Sequence, residues 1–399
     1  MGAPPAVMLS TPEHIEEVLK AHFDTGIFAV DGVKWIHQRK TASNLFSLRQ
    51  PMTEHLQKHA AHASESPTEP LDLLHLMNRF TIDTFADIAF GVELGCLHCT
   101  VDHAFQQAFD SAQRTQRFLN LDEERELKKN VHVIDNTVLG IIAQSLKNRT
   151  SQDSSCFGKK DIVSLFLDST STNTNIGTGS HDAFDTVFLH DIVVNFVIAG
   201  RDSTAHVMSW FFFQLNQHPD VERRVHQELI EMLPELVSGV LQAPSMEQTQ
   251  SLVYLEAALR ETLRLHPPTP GNLKKTNKDV MLSDGTFILK GEGVMISFYV
   301  MGRMKDVWGE DAKPKRWLEP GIGKLITVSA FKFNVFHAGP RACLGVNLVV
   351  KEMMIVAAMV LSKFHLELVP GQHVTYNMSL THPIKGELLM KVVPVAPAA

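Results

Sequence analysis

The feature that most restricts the fold is the run from about Asp182 to Gln217, which is apolar around most of a helix and meets no proline until His218-Pro219. A helix apolar on nearly every side has to be enclosed by other elements. Several candidates for that enclosure are legible. Ser10, Thr11, Pro12 and Glu13 make a helix start, and Ile15, Val18, Leu19 and His22 follow at helical spacing. From Leu71 to Ala89 the apolar positions again follow the helical period, and an amphipathic helix is expected over Val221 to Met232. A short helix at Ile162–Leu167 separates two polar stretches, Ser151–Lys160 and Ser169–Ser180, that read as surface loops.

After Pro267-Pro268 the pattern changes period. Thr286–Leu289 and Val294–Phe298 are β-rich and separated by Lys290-Gly291-Glu292-Gly293, which predicts a hairpin between them. Phe364–Leu368 and Leu388–Val393, around a Pro370-Gly371 turn, close the chain as a second β region. No internal repeat is present. The expectation is a mainly α fold with small β-sheets, in a single domain over residues 1–399.

Composition removes several functional classes. With 44% hydrophobic and 20% charged residues the chain can bury a large core, which excludes disorder. A formal net charge of −7 gives no basic surface for nucleic acid. Four cysteines, at 96, 99, 156 and 343, are too few and too scattered for a disulfide framework, which points to a reducing compartment. No stretch approaches the roughly 18 apolar residues that cross a bilayer. The start, MGAPPAVMLSTPEH, has neither the basic nor the apolar region of a signal peptide.

The chemistry concentrates at Phe336-His337-Ala338-Gly339-Pro340-Arg341-Ala342-Cys343-Leu344-Gly345. A thiolate that ligates iron must be shielded and approached by backbone N–H groups, and Gly339 and Gly345 permit that approach. Arg341 is placed to pair with an anionic group, and the apolar helix beginning near Val346 points its positive end at the sulfur. A lone cysteine is more often a small buried hydrophobe; five fixed positions in ten favour the ligand.

This loop resembles the haem-binding segment of the cytochrome P450 family, Phe-x-x-Gly-x-Arg-x-Cys-x-Gly, at every fixed position. Further stretches resemble the family's other motifs in the same order. Trp35 and Arg39, four apart on one helical face, resemble the helix that reaches the haem propionates. Ala199-Gly200-Arg201-Asp202-Ser203-Thr204 resembles the oxygen-activation segment, with Gly200 making room for dioxygen, Asp202 relaying protons, and Ser203 standing where the family usually has threonine. Glu261 and Arg264, with Arg316 downstream in Lys313-Pro314-Lys315-Arg316-Trp317, resemble the structural Glu-Arg-Arg triad. The wording around DGVKWIHQRKTASNLFS and YVMGRMKDVWG resembles the eukaryotic fatty-acid ω-hydroxylase branch.

The resemblance implies the cytochrome P450 fold and haem b held through the Cys343 thiolate, with Trp35, Arg39, Phe336, His337, Arg341 and Gly345 around the haem. It implies Asp202, Ser203 and Thr204 in oxygen activation, O2 and electrons from NADPH through NADPH-cytochrome P450 reductase, a lipophilic substrate such as a fatty acid, and an endoplasmic reticulum location. Relative to that branch the chain reads as N-terminally truncated, without membrane anchor or early strands, and shortened between Phe23 and Trp35 and at Gly309–Ala312. The alternatives are a catalytically impaired product, a peroxide-rearranging haem-thiolate isomerase, which Asp202 and Ser203 argue against, and zinc binding at Cys96-x-x-Cys99, which has no second ligand pair of suitable spacing.

Overall fold

The computed structural model describes residues 6–9, 11–20, 70–92, 94–98, 103–114, 121–150, 163–166, 186–310, 313–377 and 381–395. Its central element is the long apolar helix, Thr186–Gln217. Taking the longer elements in chain order, the strand β1 (Ala6–Leu9) and helix α1 (Pro12–Lys20) are followed by β2 (Leu71–Asp72), α2 (Leu73–Phe90), α3 (Ala104–Arg114), α4 (Leu121–Thr150) and this helix, α5. Pro219 then opens α6 (Pro219–Met232), and α7 spans Val253–Leu265.

Two separate cores meet on α5. Its first half, including Leu189, Val193, Phe196 and Val197, packs with α2, α3 and α4. Its second half, Ala205 to Leu215, packs with α6, α7, the later helix α8 (Val346–Leu361) and the C-terminal strands. The segment between the cores is Ile198–Thr204, where Ala199 is exposed and Ser203 half-buried although the helix on either side is buried. Chain continuity through an enclosed helix thus delivers one open stretch of backbone to the middle of the molecule.

The termini of α2 are set by local chemistry. Asp72 accepts from the backbone N–H of Leu74 and His75 at 3.1 and 3.3 Å, and also from Leu388 at 3.1 Å, so one carboxylate starts the helix and ties it to the last strand. Gly91, at φ 64°, closes the helix in the left-handed conformation.

The sheets are small, as expected, but one pairing differs. β3 (Gly271–Lys275) and β6 (Gly293–Ser297) run antiparallel with Asn272 opposite Ile296, and β1 lies parallel on the other edge of β6 with Leu9 opposite Ile296. The run Thr286–Leu289 does not pair with Val294–Phe298. Its strand β5 (Phe287–Ile288) turns back on β4 (Val280–Met281), and Thr276 ends the separation by taking the Glu292 carbonyl. The reason lies outside the loop: both edges of β6 are taken by β1 and β3. Strand β1 itself, four apolar residues after Pro4-Pro5, is not announced by any sequence pattern. The closing strands β7 (Phe364–Leu368) and β8 (Leu389–Pro394) pair antiparallel around Pro370-Gly371 as read from sequence. Among the described residues no helix is long and apolar enough to cross a membrane.

Candidate functional site

The cysteine loop hangs between the β1–β6 layer and the start of α8. Ala338 is buried in the cluster formed by Leu9, Ile15, Val294 and Ile296, which anchors the middle of the loop. His337 takes a left-handed φ of 63°, unusual for a side chain of its size, and donates its backbone N–H to the Asn334 carbonyl at 2.7 Å. Residues Gly339–Arg341 make a single 3-10 turn, after which the Cys343 N–H returns to the Phe336 carbonyl at 2.7 Å. Cys343 is exposed, two residues before Gly345, the residue that caps α8. The thiol therefore faces open space at the positive end of a sixteen-residue helix.

The same loop holds buried polar atoms with no protein partner. His337 Nε2 and Asn334 Nδ2 are both buried and unbonded. His337 Nδ1 sits 2.8 Å from the backbone N and O of Ala338. In the tautomer where Ala338 N–H donates to Nδ1, the ring presents Nε2–H outward as a donor. Burial, with Lys274 and Arg341 nearby, lowers the His337 pKa to about 4 against its bond to Ala338, so the ring is neutral. Lys274 and Arg341 close by and two donor-capable atoms left over are what an anionic, carboxylate-bearing group would satisfy.

Under the loop stands a compact ion network. Glu261 and Arg264, three apart on α7, are buried at 3% exposure each, and Arg264 Nε and Nη2 grip the carboxylate at 2.9 and 2.7 Å. Arg316 adds Nε at 3.0 Å, the Lys313 N–H adds 2.6 Å, and the Trp317 indole N–H adds 2.9 Å. Burial pushes Glu261 toward neutrality, but Arg264, Lys313 and Arg316 outweigh it and hold the carboxyl below its ordinary value. The arginines' remaining N–H groups bond the Gly302 and Trp308 carbonyls. Rings then carry the packing to the loop: Trp308 on Trp317 (5.4 Å), Trp317 on Phe333 (4.6 Å) and Phe333 on Phe336 (6.3 Å). The three triad residues read from sequence come together, and Lys313 N–H and the Trp317 indole join them. Backbone donation leaves no sequence trace.

On α5 the side chains divide. Ser203 Oγ bonds back to the Ala199 carbonyl at 2.7 Å on the open side, while Thr204 is buried. Asp202 is 1% exposed and accepts from Arg201 Nη1 at 2.9 Å. Arg201, equally buried, also grips Asp110 of α3 and lies 5.1 Å over the Phe109 ring. Burial acts against its charge, and the two aspartates more than compensate, raising its pKa. Sequence reading passed over Arg201 as a variable position; a cation in so apolar a helix was the available signal. Gly200 has a different use from the one expected, because a Cβ there would overlap the ring of Phe85 on α2. The missing side chain admits a helix neighbour rather than open space. Trp35, Arg39 and Cys99 lie outside the described residues.

Comparison with known proteins settles the family, since the cytochrome P450 family model matches residues 1–391. The chain belongs to the cytochrome P450 family. It is similar to cytochrome P450 CYP94D109 of Paris polyphylla, with 31% identity over 97% of this chain and 85% of that protein. It is similar also to cytochromes P450 86B1 and 94C1 of Arabidopsis thaliana, each 30% identical, over 96% and 90% of this chain and 76% and 78% of theirs. As a cytochrome P450 it is a monooxygenase, an oxidoreductase that uses haem held by a cysteine thiolate, O2 and NADPH-derived electrons, with a redox partner and lipophilic substrates. The residues present fit that group: an exposed cysteine before a helix N-terminus, in a loop with two buried unpartnered nitrogens, His337 Nε2 and Asn334 Nδ2, and with Lys274 and Arg341 acting on His337.

Proposed function

We propose that this cytochrome P450 hydroxylates fatty acids, inserting one oxygen atom into a C–H bond near the chain end, and that the Cys343 thiolate would hold its haem. The observation that carries the reading is the exposed Cys343 at the head of α8, inside a loop whose unbonded His337 Nε2 and Asn334 Nδ2, with Arg341, suit haem carboxylates. The haem supplies oxygen activation when bound, and the thiolate donates electron density that favours O–O cleavage. The protein's part is to hold and to deliver. Arg341, His337 and Asn334 orient the carboxylate edge; Phe336 packs beneath the loop; Glu261, Arg264 and Arg316 brace the scaffold; Gly345 opens α8 at the sulfur. Trp35 and Arg39 are assigned to the propionates on motif alone.

On α5, Ser203 presents its hydroxyl at the half-buried stretch, and Asp202, whose carboxylate Arg201 fixes, would relay protons toward it. Thr204, buried next to them, is assigned to the same oxygen-activation segment on motif alone. NADPH-cytochrome P450 reductase is the proposed electron donor and the endoplasmic reticulum membrane surface the proposed location. Fatty acid as substrate rests on the branch resemblance. The test is the carbon monoxide difference spectrum of reduced, haem-supplemented protein. A thiolate-shifted Soret band is expected in the parent and absent in Cys343→Ala, followed by turnover of long-chain fatty acids to terminal alcohols. A folded parent without that band would overturn the assignment.

A further inference from the structure

A polar row runs down one face of the otherwise apolar α5. Asp202, His206, Trp210 and Gln214 follow at four-residue intervals and so lie above one another. Asp202, His206 and Trp210 are 1%, 4% and 3% exposed. Polar groups buried this deeply demand partners.

At the far end they have them. The Gln214 amide lies 2.6 Å from His266 Nε2, and Trp210 stacks on the His266 ring at 4.2 Å. Tyr376 Oη lies 2.8 Å from His266 Nδ1 and receives Arg303 Nη2 at 2.7 Å. Gln214 Nε2 faces His266 and only donates, so His266 Nε2 accepts, and Nδ1 carries the ring proton and donates to Tyr376 Oη, which also accepts from Arg303.

Nearer Asp202 the partners are missing. Trp210 donates its indole N–H to the His382 carbonyl at 3.1 Å, which lays His382 along the same face, one turn from His206. The His382 ring rests on Tyr376 and Tyr299, at 4.9 and 5.5 Å, and both tyrosines are half-buried. His206 Nδ1 and His382 Nδ1 are each buried without a partner. Arg201, Asp202 and His382 act on His206, with Asp110, His266, Arg264 and Arg303 in the surrounding elements. Two buried, unpartnered imidazole nitrogens close enough to act on one another are groups that ordered water would satisfy.

We propose that His206 and His382 hold bridging water and form the inner end of a proton route from the half-buried Tyr299–Tyr376 rim to Asp202, with His206 as a positioning residue for proton delivery. The inference rests on the monooxygenase reading. The proton balance is even: each proton that reaches His206 on one nitrogen releases one from the other toward Asp202, and exchange with the water restores the starting tautomer. Burial, the main cause, keeps His206 neutral near physiological pH with a pKa of about 4, so both nitrogens are usable.

The test uses the full haem-loaded chain and the variants His206→Leu, His206→Gln and His382→Leu. In the diamagnetic ferrous carbon monoxide form, with 15N-labelled histidine, two neutral imidazole resonances should exchange magnetisation with water, and His206→Leu should abolish one and shift the other. In turnover with NADPH and reductase, His206→Leu and His382→Leu should raise the hydrogen peroxide released per product at least about fivefold with the thiolate-shifted band unchanged. His206→Gln, which keeps a hydrogen-bonding side chain, should restore part of the coupling. Absence of water exchange at both histidines, or an unchanged peroxide ratio in correctly folded variants, would overturn the proposal. A parent lacking the thiolate band would instead overturn the monooxygenase reading and with it the delivery role, while water exchange in the haem-free chain would still decide whether the pocket is hydrated.

Discussion

Single side chains here are perturbed chiefly by burial, and the direction depends on whether a partner is present. Glu261 keeps its charge at 3% exposure because five N–H groups converge on it. Glu352, on α8 among Met353, Met354 and Ile355, has burial as the sole cause of its shift, which pushes its pKa up to about 8. The sign follows: at pH 7 the folded chain keeps this proton and the unfolded chain does not, so stability is full below about 4.5 and falls as pH rises toward 8. Glu352→Gln is expected to stabilise the protein by about 3 kcal/mol at pH 7, with almost no effect at pH 4.5. Urea unfolding at the two pH values checks it; equal effects at both would show that Glu352 is ionised and partnered in the folded state. Little of this was legible in sequence. Glu261, Arg264 and Arg316 could be read because their spacing and order carry a motif, whereas Arg201, His206 and Glu352 sit at positions whose importance arises only from what packs around them.

Among elements, α2, α5 and α6 were readable because a helix satisfies its own backbone and its period shows in the sequence, whereas α3 and α4 and the caps Asp72 and Gly91 were not singled out. Strands borrow their partners from elsewhere in the chain. That is why Phe287–Ile288 pairs with Val280–Met281 instead of the neighbouring run, and why β1 went unforeseen. The contact between α2 and α5 is a further case, since Gly200 and Phe85 fit one another across 115 positions of sequence. Gly200→Ala should cost about 1–3 kcal/mol by overpacking against that ring. Phe85→Leu should recover part of the loss in the double variant, giving a coupling of about 1 kcal/mol. Thermal unfolding of the four-member cycle measures it, and strictly additive effects would place the strain of the alanine elsewhere.

At the scale of the whole molecule, α5 belongs to two cores, and the segment Ile198–Thr204 lies at their junction. The larger core ties the start of α2 and the second half of α5 to α6, α7, α8 and the closing strands. The smaller one consists of the end of α2 with α3 and α4 around the first half of α5. On α3, Asp110 pairs with Arg201 and the Phe109 ring lies against the same guanidinium, and Arg201 passes the ion pair directly to Asp202 at the junction. The side chain of Asp110 is 25% exposed while that of Arg201 is 1% exposed, so removing the carboxylate leaves a buried guanidinium with one aspartate instead of two. Asp110→Asn should therefore loosen α3 against α5 by about 1–2 kcal/mol, less than for a fully buried pair because solvent screens one partner. Hydrogen exchange followed by mass spectrometry should show peptides from Ala104–Arg114 exchanging about 5- to 30-fold faster, with peptides from α6 and α7 unchanged. Uniform acceleration across both cores would mean that they unfold as one unit and that the clamp acts on global stability. Selective acceleration would make Asp110 the point where movement of α3 is transmitted to Asp202, and peroxide release in the same variant should then rise in step with the local opening.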